Sequence, residues 1–178
     1  MPNWANGTVA ITGRKENVLM FTRRFIYDDT VRANIVSFFA RSFAQVKRKE
    51  INDEIEELFE GISAEMEDTF CMNVDFAWSA DNCLIDGYPQ RFPDCVTLAD
   101  ACVADHVSVE ILTEELGIGF EENILCDKEG KVTSQCWSMP VYICPSCGSE
   151  YSFPTYLDLS QYECPLCETI GLRLQTAG

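Results

Sequence analysis

The chain of 178 residues predicts an α+β fold: one antiparallel sheet with helices on one face, and a small metal-held appendage at the C-terminal end. Three observations predict it. Strand-period and helix-period apolar patterns take turns through the first hundred residues. A meander of alternating segments follows, with a tight-turn signal at Asp127-Lys128-Glu129-Gly130. Two C-x-x-C pairs, Cys144-Pro-Ser-Cys147 and Cys164-Pro-Leu-Cys167, then stand near the end.

The elements follow in order. Thr8-Val9-Ala10-Ile11-Thr12 alternates apolar with small polar residues, which predicts a half-buried strand turning at Gly13. Val18, Phe21 and Phe25 recur at helical spacing, with Leu19 beside them, and predict an amphipathic helix over 15–25. Residues 34–46 are rich in β-branched and aromatic types and read as a second strand, with a helix as the alternative. Ile51, Ile55, Leu58 and Phe59 fall at i, i+4, i+7 and i+8, which predicts a helix over 50–60 stopped by Gly61. Its run of Asp and Glu reads as a solvated face. Phe70, Met72, Val74, Phe76 and Trp78 alternate onto one side of a third strand. Asp81 to Pro93 is rich in loop-forming residues. Thr97, with Asp100 three positions on, signals the start of a short helix to Ala104. Val107, Val109, Ile111 and Thr113 predict a fourth strand. Gly117 and Gly119 mark a turn, and strands follow over 120–126 and 131–139. No internal repeat is evident. Pro140 closes a first domain, residues 1–140, and a second spans 141–178.

The second domain carries the specific chemistry. A tetrahedral ion needs four soft ligands converging on one point, and each C-x-x-C loop aims two thiolates there. Cys144, Cys147, Cys164 and Cys167 are therefore the metal ligands, and the stretch between the pairs, with Tyr151, Phe153, Tyr156 and Leu157, goes out and returns as a hairpin. That is the pattern of a zinc ribbon with a structural Zn2+; iron in a rubredoxin-like site is the alternative. Gly148 suits the tight knuckle, and Glu168 stands at the equivalent place in the second. Four thiolates fill the coordination sphere and leave no position for a catalytic water.

Charge bounds the function classes. The net charge is −16, with nine Lys/Arg against three Asp/Glu in residues 1–49 and four against twenty-six in the rest. Such a chain is repelled by a phosphate backbone, so direct nucleic-acid binding is disfavoured. Its only cationic candidates are Arg14, Lys15, Arg23, Arg24, Arg32, Arg41, Lys47, Arg48 and Lys49. No apolar run approaches the ~18 residues of a membrane span. The first residues lack a basic start followed by an apolar run, so a cytoplasmic chain is expected. In a reducing compartment the other six of ten cysteines read as thiols, with Cys71, Cys126 and Cys136 buried on strands.

The opening Pro2-Asn3-Trp4-Ala5-Asn6-Gly7-Thr8-Val9-Ala10-Ile11-Thr12-Gly13 resembles a YubB-like domain family of bacteria, plasmids and phages. Phe76-Ala77-Trp78-Ser79 is similar to that family's aromatic-Trp-Ser strand end, and 114–132 to its Glu-rich turn, Gly-Phe strand and Gly hairpin. The resemblance covers residues 2–138 and implies a ferredoxin-like split βαβ fold with extra strands. It implies a bacterial or mobile-element origin and no catalytic residue. Ala80-Asp81 stands where the family often has a proline pair.

Other candidates are weaker. His106, the only histidine, forms C-x3-H with Cys102, and Cys83 and Cys95 lie upstream; a second metal site or a Cys–His nucleophile is conceivable, a core histidine simpler. Asp75, Asp81, Asp86 and Asp94 gather near the long loop without an EF-hand register. Gly117-Ile118-Gly119 is too short for a phosphate loop. Trp4, Trp78 and Trp137 could line a groove or fill a core. The expected function is a zinc-binding protein acting through contact with a protein of basic surface. A nucleic-acid mimic or nucleic-acid-associated protein is one alternative; an enzyme using the Asp-rich loop or His106 is the other, and the sequence leans against it.

Overall fold

The computed structural model describes residues 3–25, 44–46, 51–84, 96–117, 119–153 and 158–175. The chain runs β1 (Trp4–Arg14), α1 (Lys15–Phe25), β2 (Ala44–Val46), α2 (Ile51–Leu58), β3 (Glu67–Ala77), α3 (Ala80–Cys83), α4 (Leu98–Asp105), β4 (Ser108–Glu115), β5 (Phe120–Cys126) and β6 (Val132–Ser138). Then come β7 (Val141–Ile143), β8 (Glu150–Ser152) and β9 (Arg173–Leu174). The first six strands form one sheet in the order β2-β3-β1-β4-β5-β6, antiparallel at every pairing. The last three form a second sheet, β8-β7-β9.

The large sheet is two-faced because strand side chains alternate. Val9, Ile11, Phe70, Met72, Val74, Phe76, Val109, Ile111 and Ile124 form one buried cluster with Val18 and Phe21 of α1, Ile55 of α2 and Leu98, Ala101 and Cys102 of α4. The helices therefore cover this face. Gly7 and Gly13 sit in β1 on the same side. A Cβ at Gly13 would come within 2.9 Å of Val107, so this glycine makes room for a neighbour and the strand runs through it instead of turning. Thr97 caps α4 by accepting the Asp100 amide at 3.0 Å, and His106 ends it at φ 52°.

The opposite face carries polar rows. One row crosses the sheet through Asp75, Asn6, Glu114, Glu121 and Trp137, which are successive register partners on β3, β1, β4, β5 and β6. Beside it lies a trough of about 580 Å³, lined by Asn6, Thr8, Asn73, Leu112 and the acids of that row.

Several expectations are corrected here. Trp78 does not continue β3; it leaves the strand at φ 68° and is 45% exposed. None of Trp4, Trp78 and Trp137 fills the core. Cys71 and Cys136 are exposed: Cys71 is out of phase with Phe70 and Met72, and β6 is exposed along its whole length. Cys126 is buried as expected. A helical turn, α3, occupies the start of the expected long loop, capped by Ser79. Residues 34–43, Cys95, Asp86, Asp94, Ile118, Tyr156 and Leu157 lie outside the described residues, while 44–46 is strand as expected.

Candidate metal centre

The second sheet positions two matched knuckles. Cys144 follows β7 directly, and its amide donates to Ser149 O at 2.9 Å while Gly148 N donates back to Cys144 O at 3.0 Å. Twenty residues on, Cys164 N donates to Thr169 O at 2.9 Å and Glu168 N to Cys164 O at 2.8 Å. The knuckles are thus a local repeat, C-P-x-C-x-[S/T], too short to show in a search for larger periods. Each needs a left-handed residue after its second cysteine, and Gly148 (φ 72°) and Glu168 (φ 59°) supply it. The glycine adopts this freely; the glutamate does so against its Cβ.

The four sulfurs all lie within 4.8 Å of one another. Cys144 and Cys167 are 3.5 Å apart, and Cys147 and Cys164 are 3.7 Å apart. A tetrahedron with metal–sulfur bonds of ~2.3 Å has edges of about 3.8 Å, so the cage has the size of one thiolate-bound ion. These residues could hold a metal ion, and no fifth ligand is needed.

Hydrogen bonds prepare the sulfurs for it. The hydroxyl and the amide of Thr169, both hydrogen-bonded with Cys167, together pull that thiol down to about 6. The Tyr151 hydroxyl, 3.2 Å from Cys164, lowers that thiol, and the amides of Leu166 and Cys167 help. At Cys144 the Cys147 amide pulls down, but burial and the Cys167 and Cys147 thiols outweigh it and hold Cys144 up at about 11. Thiols crowded this way have lone pairs aimed at one point, and a cation satisfies all four.

An aromatic cluster supports the cage. Phe153 meets Tyr162 edge-on with centroids 4.7 Å apart, and Tyr142 and Tyr151 flank it. Leu159 and Leu172 complete a small core around Cys144 and Cys164, separate from that of the large sheet. Sequence reasoning placed the four cysteines and Tyr151 but missed Ser149 and Thr169. The signal was the hydroxyl residue two positions after each second cysteine, with Ser149 Oγ 3.2 Å from Cys147 Sγ and Thr169 Oγ1 3.3 Å from Cys167 Sγ.

Among the described residues, no other candidate set gathers into a metal-binding group. Cys102 is buried, and its thiol is driven up by a hydrogen bond with Cys126 and by burial, so it is no thiolate. His106 is an exposed helix cap. Cys83 is also buried, raised to about 11 mainly by desolvation, with its thiol 3.4 Å from Ala77 O. Asp75 lies in the polar row on the open face, and Asp81 is an exposed residue of α3, outside that trough. Among the cationic candidates, Arg14 pairs with Glu65 at 3.0 Å and Lys15 with Glu56 of α2, and Asp53, Glu56, Glu57 and Glu60 are exposed, a solvated face as expected.

No described helix is long and apolar enough to cross a membrane. A scan against protein-family models, a search of curated proteins and a search of solved structures each returned no match to this chain.

Proposed function

We propose that this chain is a zinc-stabilised, non-enzymatic interaction protein, built as a ferredoxin-like body over residues 1–140 and a zinc ribbon over 141–178. The observation that carries it is the closed four-sulfur cage, within 4.8 Å throughout. All-thiolate ligation favours zinc and keeps substrate off the ion, which makes the site structural. The order β2-β3-β1-β4 with antiparallel pairing supports the ferredoxin-like reading, with β5 and β6 as the extra strands of a YubB-like relative.

The partner we propose is a protein with a basic surface, in the cytoplasm of a bacterium or mobile element. The trough on the open face supports it: Asp75, Glu114 and Glu121 line it beside Trp137. Trp137 is 40% exposed and donates its indole N–H to Glu121, which leaves an aromatic surface next to carboxylates for a guanidinium or ammonium. The same acidic row favours nucleic-acid mimicry as the second reading, with a nucleic-acid-binding protein as the partner.

Elemental analysis of protein purified without chelators tests the metal: one zinc per chain is expected, and less than half an equivalent in Cys144→Ser or Cys164→Ser. Iron in place of zinc would overturn the assignment. Pull-down at low salt tests the partner. Basic proteins should be retained and released by added salt, and recovery of nothing would remove the claim.

A further inference from the structure

Among the described residues, the six-stranded sheet ends in two strands of different character. One edge, β2, spans three residues, Ala44–Val46, and the chain continues from it into Lys47-Arg48-Lys49. The other edge, β6, has seven residues, Val-Thr-Ser-Gln-Cys-Trp-Ser, all of them exposed. It carries no lysine, no proline, no charge of either sign and no bulge in its register with β5. Among the described residues it pairs on one side only, with β5, so alternate amides and carbonyls along its other side meet no described strand.

We propose that β6 is a self-pairing edge: two copies of this chain join antiparallel along β6 and form one continuous twelve-stranded sheet across a two-fold axis. Charge selects a second copy as the occupant. The chain carries −16, and most surfaces of two copies would bring carboxylates together. From Val132 to Ser149 there is no Asp, Glu, Lys or Arg, so here two copies meet with no like charges opposed. Antiparallel self-pairing is isologous and closes at two.

Full overlap of the seven residues fixes the register. Gln135 then lies on the axis facing its own copy. Ser134 faces Cys136, Thr133 faces Trp137, and Val132 faces Ser138. The large tryptophan meets a β-branched residue, a pairing that stabilises adjacent strands, and Ser134 meets the small Cys136.

The experiment is sedimentation of the full zinc-loaded chain across concentration and salt. The wild type is expected to approach twice the 20.1 kDa chain mass at high micromolar concentration. The dimer should strengthen as salt screens the shared negative charge, opposite to the release expected of a basic partner. Gln135→Lys places two cations face to face on the axis and is expected to weaken self-association at least tenfold. Gln135→Glu should do the same, and an equimolar mixture of the two variants should restore the dimer. A wild type that stays monomeric at every concentration overturns the proposal. So does a dimer that both variants leave intact, since its seam lies elsewhere. Zinc content and partner retention, measured on the same samples, report separately on the proposed function.

Discussion

Glu168 holds a backbone conformation that suits glycine, at φ 59°, while its counterpart Gly148 sits at φ 72° with nothing within 4 Å of a built Cβ. The left-handed region costs a side-chain-bearing residue about 1–2 kcal/mol. Glu168→Gly is therefore expected to raise stability by about 1 kcal/mol, partly offset by the freer unfolded chain, and to leave zinc content unchanged; chemical denaturation of the loaded protein checks it. A second residue-scale prediction concerns Glu122. It is 4% exposed and accepts from Ala80 N at 2.9 Å and Thr113 Oγ1 at 3.0 Å. Burial raises its pKa above the ordinary 4.5, although the bonds from Thr113, Ala80 and Asp81 pull the other way. A carboxyl raised on folding binds its proton more tightly in the folded state. Its contribution to stability is therefore greatest below 4.5 and declines as pH rises toward the elevated value. The stability of wild type relative to Glu122→Gln should shrink over that window in thermal unfolding, and a difference that is flat with pH would contradict the burial argument.

At the scale of elements, the two sheets have different sources of order. β1, β3, β4 and β5 share a core with α1, α2 and α4 that needs no metal. β7 and β8 have three residues each and β9 two, around a core of Cys144, Leu159, Cys164 and Leu172. Elements this short do not persist on propensity alone, and ligation supplies the missing free energy. Stripping the metal with a strong chelator should raise amide exchange at least a hundredfold over 141–153 and 158–175, while β1, β3 and β4 keep their protection. Exchange that rises equally in both sheets would show a single cooperative unit instead. The elements also show where the pattern in the chain was legible. α1 and β5 match their expected bounds, since a stripe of Val18 and Phe21 or a clean alternation is a local property. β1 ran longer than expected at both ends. Gly13 has the local signature of a turn residue, yet in the sheet it is the site where Val107 packs against backbone.

For the whole molecule, charge and topology act together. The polar face of the large sheet brings Asp75 beside Glu114 and Glu121, which lie more than thirty residues further along the chain, next to an uncharged edge. These surfaces should respond to salt in opposite directions, and a single titration that reads partner retention and self-association together checks it. The chain by itself determined the sulfur cage, because two C-P-x-C loops carry their own geometry in a few residues; the hairpin expected between the pairs is instead β7 with β8, which encloses the first pair. It determined the kinds of element too, through periods of two and 3.6. Only the tertiary structure decided that β1 lies between β3 and β4, that Cys71 and Trp78 face outward, and that β6 is left as an edge. Alternation says which side chains share a face, but whether helices or water cover that face depends on pairings between distant segments, and no local pattern records those.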